Sequence, residues 1–199
     1  MTKLFANFGN EKQIKQQFMR IIGVDPGSTI TGYAVIDGQG DQIKMLTMGI
    51  IKLSGYENHQ QKLKEIFLRV QDVIERYHPT IMAIEAPFFG KNPQSMLKLG
   101  RAQGVAIAAA SAMGLEVEEF SPKRIKQSIT GNGNASKEKV AGMLAIILGA
   151  NLDTKTLDAT DALAAAVCLN YGRKNKLQSN KGGSWNDFIK SNPDRIIPQ

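Results

Sequence analysis

Four acidic residues stand at the ends of predicted secondary-structure elements, where their side chains could do chemistry together. Asp25 ends the apolar run RIIGVD, and Glu85 ends the apolar run IMAIE in the same way. Asp158 and Asp161 are three residues apart, so they share one face near the start of a predicted helix. Each acid alone is also explained as a turn residue, an exposed strand end or a helix N-cap. As a group they need a further explanation, because clustered carboxylates repel and raise one another's pKa.

A divalent cation would remove that repulsion. Oxygen ligands without His or Cys favour Mg²⁺ or Mn²⁺, and the N-terminus of the predicted helix favours the ionised forms of Asp158 and Asp161. Two such ions, roughly 3.5–4 Å apart, can activate a water on one side of a phosphodiester and stabilise the leaving 3′-oxygen on the other. The four acids therefore predict metal-dependent phosphodiester hydrolysis, and they leave open whether a protein general base takes part.

The elements that must position these acids form an α/β pattern. Strands are predicted at 20–25, 31–37 and 43–53, and the turns PGST and GDQ join them into an antiparallel meander. Helical spacing over 57–77 leads to a buried strand at 81–85. A strand reached by a helical crossover is most simply parallel to the strand it joins, which places Glu85 at the same sheet end as Asp25. Further elements are a helix at 94–113, a strand at 115–120, a helix opened by Ser121 and Pro122, and helices at 137–148 and 156–172.

Length and composition predict one domain with tails, located in the cytoplasm. The chain has 199 residues, a net charge of +7 and a single cysteine, Cys168, so it forms no internal disulfide. The first twenty residues have no apolar core of a signal peptide, and no run of eighteen apolar residues exists. We therefore expect a protein that is not exported and has no membrane partner.

The positive charge is concentrated at the two ends of the chain. Residues 1–20 carry four basic and one acidic residue, and residues 172–199 carry six basic and two acidic ones, which leaves the segment between them neutral. Solubility explains basic tails as well as DNA binding does. Within the neutral segment, however, residues 91–139 carry eight basic and four acidic residues. A basic surface beside an acidic site suits a metal-dependent enzyme that acts on a phosphate polymer.

Four sequence blocks, in order over about residues 20–172, resemble the signature blocks of the RuvC family of Holliday junction resolvases. They read IIGVDPGSTITGYAVID, IEAPFFGKNPQSMLKLGRAQGVAIAAA, PKRIKQSITGNGNASKEKV and DATDALAAAV. The resemblance implies a ribonuclease H-like fold, with a five-stranded mixed sheet of order 3-2-1-4-5 flanked by helices. It also implies an endonuclease of DNA recombination and repair that depends on Mg²⁺, with Mn²⁺ as a substitute. The implied assembly is a homodimer that cuts four-way junction DNA symmetrically and works with the RuvA and RuvB branch-migration proteins.

The family's catalytic and metal-binding acids fall on Asp25, Glu85, Asp158 and Asp161. Some relatives have histidine in place of Asp158, so this chain resembles the four-carboxylate version. Phe88 matches an aromatic that stacks on an unpaired base, although its neighbour Phe89 could take that role. The remaining implied DNA contacts are Lys126 and Lys137 beside the scissile phosphate, and Lys91 and Arg124 on the backbone. Ordinary exposed lysines and a core phenylalanine are the competing interpretations.

The resemblance divides the chain into a flexible N-terminal extension (1–19), a nuclease domain (20–172) and a disordered basic C-terminal tail (173–199). Because the family's first strand normally begins near the initiator methionine, we expect Met19 to be the physiological start. The helix that carries Gly104 either meets the second subunit or packs tightly on its own sheet. Three alternative functions stay open, namely an actin-like ATPase fragment, a non-catalytic junction-binding module, and another ribonuclease H-like nuclease such as one acting on RNA–DNA hybrids.

Overall fold

A computed structural model describes residues 18–87, 92–150, 152 and 157–179 of the chain. Its strands and helices follow the predicted order, with boundaries that differ by a few residues. In chain order they are β1 (Met19–Asp25), β2 (Ile30–Gln39), β3 (Gln42–Lys52), α1 (His59–Tyr77), β4 (Ile81–Glu85), α2 (Pro93–Ala112), β5 (Glu116–Phe120), α3 (Pro122–Thr130), α4 (Lys137–Leu148) and α5 (Leu157–Ser179).

The strands form one mixed sheet of order β3-β2-β1-β4-β5, which confirms the predicted topology. β1 pairs with β2, and β2 with β3, in antiparallel fashion. β4 joins β1 and β5 in parallel, and Val24 lies opposite Ile84 in the register. Asp25 and Glu85 are the next residues on these two parallel strands. They therefore lie side by side at one edge of the sheet, as expected from the helical crossover.

Helices cover both faces of the sheet and create two separate hydrophobic cores. One core places Ile22 and Val24 of β1 against α1 and α2, and the other places Ile21 of β1 against α3, α4 and α5. Successive side chains on a strand point to opposite faces, so Asp25 follows Ile21 toward α5. Glu85 follows Ala83 of β4 toward the same face. Strand alternation alone thus directs both acids toward α5.

Capping side chains define where three of the helices begin. Asn58 accepts a hydrogen bond from the backbone N–H of Gln61, so α1 starts two residues later than predicted. Ser121 caps α3 as predicted, by accepting from the N–H of Arg124. Ser136 caps α4 in the same manner and leaves Lys137 as the first helical residue.

The predicted boundaries of the nuclease domain need two corrections. Met19 belongs to β1, where it pairs with Gly38, so it is not part of an extension. α5 continues to Ser179, so residues 173–179 are helical rather than part of a disordered tail. Arg173 binds Glu116 (2.9 Å) and Glu118 (2.6 Å) of β5, which anchors the helix beyond Gly172. Residues 1–17 and 180–199 lie outside the described part of the chain.

Among the described residues, no helix has both the length and the apolar character needed to cross a membrane.

Candidate active site

The four predicted acids come together where the first turn of α5 lies over the edge of the sheet. The pKa of Asp25 is raised from 3.8 to about 8, first by burial and then by the negative charges of Glu85, Asp161 and Asp158. An electrostatic effect from all three other acids requires that they lie close to Asp25. The structure therefore brings together every acid that the sequence singled out.

Glu85 behaves in the same way. Burial is the main cause that raises its pKa from 4.5 to about 7, and the charge of Asp161 adds to the effect. The ammonium groups of Lys137 and Lys126 act in the opposite direction and lower this pKa. Two lysines from different helices therefore lie close enough to the acids to affect their ionisation.

Lys137 forms an ion pair with Asp161 through its Nζ atom and the Oδ2 atom of the carboxylate. The lysine side chain is 51% exposed, whereas the aspartate side chain is 17% exposed. Burial lowers the pKa of Lys137, but the hydrogen bond from Lys137 to Asp161 and the nearby acids outweigh that effect and raise it. The negative charge of the four clustered acids is thus partly neutralised by Lys137, which the sequence did not predict.

The loop before Lys137 is held by its own hydrogen bonds. The Gln127 side chain donates to the carbonyl of Gly131 (2.7 Å) and accepts from the N–H of Gly133 (2.9 Å). The Thr130 hydroxyl donates to the carbonyl of Asn132 (3.0 Å). These contacts tie the glycine-rich segment to the end of α3, and they help to fix where α4 begins.

Two strand glycines allow α5 to approach the sheet closely enough to deliver its aspartates. A Cβ atom on Gly32 of β2 would lie 1.9 Å from the carbonyl oxygen of Asp158, and one on Gly23 of β1 would lie 2.0 Å from that of Ala162. Either contact is impossible without moving the helix. These positioning residues were missed from the sequence, although glycine inside a predicted strand is a recognised sign of close backbone approach.

Two of the predicted DNA-contacting residues, Lys126 and Lys137, lie beside the acids, as their effects on Glu85 indicate. Arg124 lies over the ring of Phe120, with 4.8 Å from its guanidinium carbon to the ring centroid, and Phe120 is the register partner of Glu85. Arg124 also affects the pKa of Cys168. Cys168 is seven residues beyond Asp161, about 10 Å further along α5. Phe88 and Lys91 lie outside the described residues, as does the choice between Phe88 and Phe89.

The donor chemistry of the site fits a hard divalent cation. Within the described ranges, no three Asp, Glu, His or Cys side chains are placed to hold a metal ion as they stand. The four acids nevertheless offer only oxygen ligands. Burial and then the neighbouring acids raise the pKa values of Asp25 and Glu85, so a cation would favour their ionised forms. Shared coordination would require some of these side chains to change rotamer.

The sheet is mixed and has the order 3-2-1-4-5, and the carboxylates cluster at its edge under the first turn of a helix. Together these features define a nuclease with a ribonuclease H-like fold. The family model described as "Crossover junction endodeoxyribonuclease RuvC" matches residues 21–169. The chain belongs to the RuvC family of crossover junction endodeoxyribonucleases. This assignment argues against the actin-like ATPase alternative.

Relatives and solved structures support the same assignment. The chain is 56% identical over 176 residues to the RuvC crossover junction endodeoxyribonuclease of Cytophaga hutchinsonii, covering 88% of this chain and 87% of the relative. It is 50% identical to that of Porphyromonas gingivalis, covering 88% and 96%. The structure of T. thermophilus RuvC in complex with a Holliday junction substrate matches with a TM-score of 0.75 and 31% identity, covering 79% and 96%. The yeast mitochondrial Holliday junction resolvase Ydc2 shares the fold, with a TM-score of 0.63 and 14% identity over 82% of this chain and 85% of that one.

Proposed function

We propose that this protein resolves Holliday junctions in DNA recombination and repair, by hydrolysing one phosphodiester in each of two opposed strands. The observation that carries the proposal is the convergence of Asp25, Glu85, Asp158 and Asp161 at one edge of the sheet. The similar fold and sequence of T. thermophilus RuvC, which was solved with a junction substrate, support DNA junctions as the substrate class.

The family is one of metal-dependent nucleases, and the ion that suits this site is Mg²⁺, with Mn²⁺ as a substitute. Asp25, Glu85, Asp158 and Asp161 would hold two ions per site. When bound, such ions supply a nucleophilic water and stabilise the leaving 3′-oxygen. The first turn of α5 favours the ionised aspartates. Lys126 and Lys137 place positive charge beside the carboxylates, where a scissile phosphate needs it.

We propose that two copies of the chain contact each other through the outward face of α2. Leu97 is 57% exposed, and Gly100 and Gly104 follow on the same face with open space where a Cβ atom would be. Within the described residues, no element of the same chain packs against Gly104. This open space does not support tight packing of Gly104 on its own sheet, and it favours the proposal that a second subunit approaches closely here.

The proposed setting is the cytoplasm, where the enzyme would act together with the RuvA and RuvB branch-migration proteins. A single buried thiol, Cys168, is consistent with a reducing compartment. The assignment of RuvA and RuvB rests on membership of the RuvC family, and a pull-down of purified RuvA and RuvB bound to junction DNA would test it.

The decisive experiment incubates the protein and its Asp158→Asn variant with Mg²⁺ and a mobile four-way junction, a matched duplex or an RNA–DNA hybrid. We expect paired symmetric nicks with ligatable ends on the junction only, and a variant that binds the junction without cutting it. Cutting of duplex or hybrid at a comparable rate would instead identify another ribonuclease H-like nuclease. Junction binding without cutting by the unmodified protein would identify a binding module.

A further inference from the structure

A cavity of about 230 Å³ opens at the same end of the sheet as the acids but on the side of α1 and α2. Its lining comes from three separate parts of the chain, namely the loop after β1, the start of α1 and the first half of α2. The lining residues are Ser28, Thr29, Glu57, His59, Lys62 and Lys98. Among the described residues, this lining includes none of the four acids, nor Arg124, Lys126 or Lys137.

The lining has the chemistry of an anion site. Among the described lining residues, Lys62 and Lys98 carry ammonium groups, Ser28 and Thr29 carry hydroxyls, and Glu57 carries the only carboxylate. The Nε2 atom of His59 is buried and has no hydrogen-bond partner within the described part of the chain. A buried polar atom without a partner costs free energy, and a ligand oxygen within reach of Nε2 would remove that cost.

The charged residues around His59 also favour an anion in this cavity. Burial is the largest cause that lowers its pKa, and the positive charges of Arg101, Lys98 and Lys62 lower it further. Three cations from α1 and α2 therefore act on one imidazole. Glu57 alone does not balance them, so the cavity carries an excess of positive charge.

We propose that this cavity binds a backbone phosphate of the DNA strand that is cut, as a second holding point next to the catalytic acids. The proposal rests on the function proposed above. Ser28 is three residues after Asp25, so their Cα atoms are at most about 11 Å apart. A DNA strand advances about 3.4 Å per nucleotide along the helix axis, so the bound phosphate should lie within a few nucleotides of the scissile one.

A backbone phosphate fits this cavity better than a free nucleotide does. The volume is below the roughly 300–1,000 Å³ of typical small-molecule sites. Among the described residues, no Phe, Tyr or Trp side chain lines it to stack on a base. Phosphate contacts fix the register of a protein on DNA without reading its sequence, so this cavity would set which phosphodiester reaches the acids.

The first test removes two positive charges from the cavity in an Asp158→Asn background that cannot cut. The pair Lys62→Gln and Lys98→Gln is compared with Lys44→Gln and Lys64→Gln, two exposed lysines outside the cavity that give the same change in net charge. For the cavity pair, we expect junction affinity to fall by about fivefold or more, and the slope of log Kd against log salt to lose about one unit. Equal losses from both pairs would overturn the proposal, since general electrostatics would then explain them.

The second test replaces single phosphates by uncharged methylphosphonates, one position at a time, up to four nucleotides on either side of the cut site. At one position, the methylphosphonate should weaken junction binding by the protein with an intact cavity. That loss should vanish in the variant with Lys62→Gln and Lys98→Gln, and it should persist in the variant with Lys44→Gln and Lys64→Gln. Absence of such coupling at every position would overturn the phosphate site. Junction cutting by the protein without substitutions is measured separately. If the phosphate site fails but the protein cuts junctions, the resolvase assignment stands. If the protein cuts no junction, that assignment fails.

Discussion

Asp25 and Glu85 are acids that the folded protein holds in a setting unfavourable to their charge. Their pKa values of about 8 and about 7 lie above the ordinary 3.8 and 4.5. Between about pH 4 and pH 8, the folded state keeps protons that the unfolded chain releases. Without a metal ion, the free energy of unfolding should therefore decrease by several kcal/mol as the pH rises through this window.

Urea denaturation at pH 5 to 9 in the presence of EDTA measures this decrease. Asp25→Asn should flatten the dependence and raise the free energy of unfolding at pH 8, because the amide carries no charge to bury. Saturating Mg²⁺ should also flatten the pH dependence of the free energy of unfolding, because the ion favours the ionised carboxylates. A metal-free protein that becomes more stable from pH 5 to pH 8 would contradict the buried, mutually repelling acids.

Lys137 competes with any cation for the carboxylate of Asp161, since its ammonium already lies on that group. Lys137→Ala should therefore bind Mg²⁺ more tightly, by about threefold or more, while junction cutting falls by at least about tenfold because the phosphate loses a positive neighbour. The Mg²⁺ concentration that half-saturates the thermal shift measures the affinity. Lys139→Ala, on the same helix, is the control and should leave both quantities unchanged. Weaker Mg²⁺ binding by Lys137→Ala would contradict the competition.

At the scale of elements, the closeness of α5 to the sheet depends on strand glycines. Gly32→Ala should destabilise the protein by about 1–3 kcal/mol, because the added methyl group collides with the backbone at Asp158. The rate of junction cutting should fall by more than the loss of folded protein explains, since the aspartates move with the helix. Gly142→Ala is a matched control in α4, where a Cβ atom meets open space, and it should stabilise the protein by about 1 kcal/mol. Chemical denaturation and junction cutting measure both variants, and a neutral Gly32→Ala would show that α5 is not held this closely.

Much of the architecture could be predicted because short-range patterns determine it. Short apolar runs bounded by turn residues identified the strands, and an acid at the end of each of two parallel strands indicated a shared edge. The ion pair between Lys137 and Asp161 could not be predicted, because it joins residues 24 positions apart through the packing of α4 near α5. The length of α5 was underestimated for a similar reason. Gly172 and the polar residues after it resemble a tail, and only the contacts of Arg173 with β5 reveal the continued helix.

At the scale of the whole molecule, symmetric cutting requires two sites that face opposed strands. Gly104→Arg adds bulk and charge to the outward face of α2, so it should convert a dimer of twice 21.7 kDa into monomers. Paired nicks should then become single, unsynchronised ones. Light scattering gives the mass, and a supercoiled cruciform plasmid distinguishes linear from nicked product. Leu68→Arg places the same charge on an exposed position of α1 and should leave the dimer intact, whereas a dimeric Gly104→Arg protein would assign the interface elsewhere.

The position of α5 near the end of the described chain has a consequence for protein synthesis. Ribosomes make a chain from its N-terminus, so the sheet with Asp25 and Glu85 emerges first, together with the basic surface of residues 91–139. Asp158 and Asp161 follow only with the last helix, which must then insert between the sheet and helices α3 and α4. An unfinished chain can therefore contact nucleic acid before it can cut it. Cutting activity must therefore wait until α5 has been made.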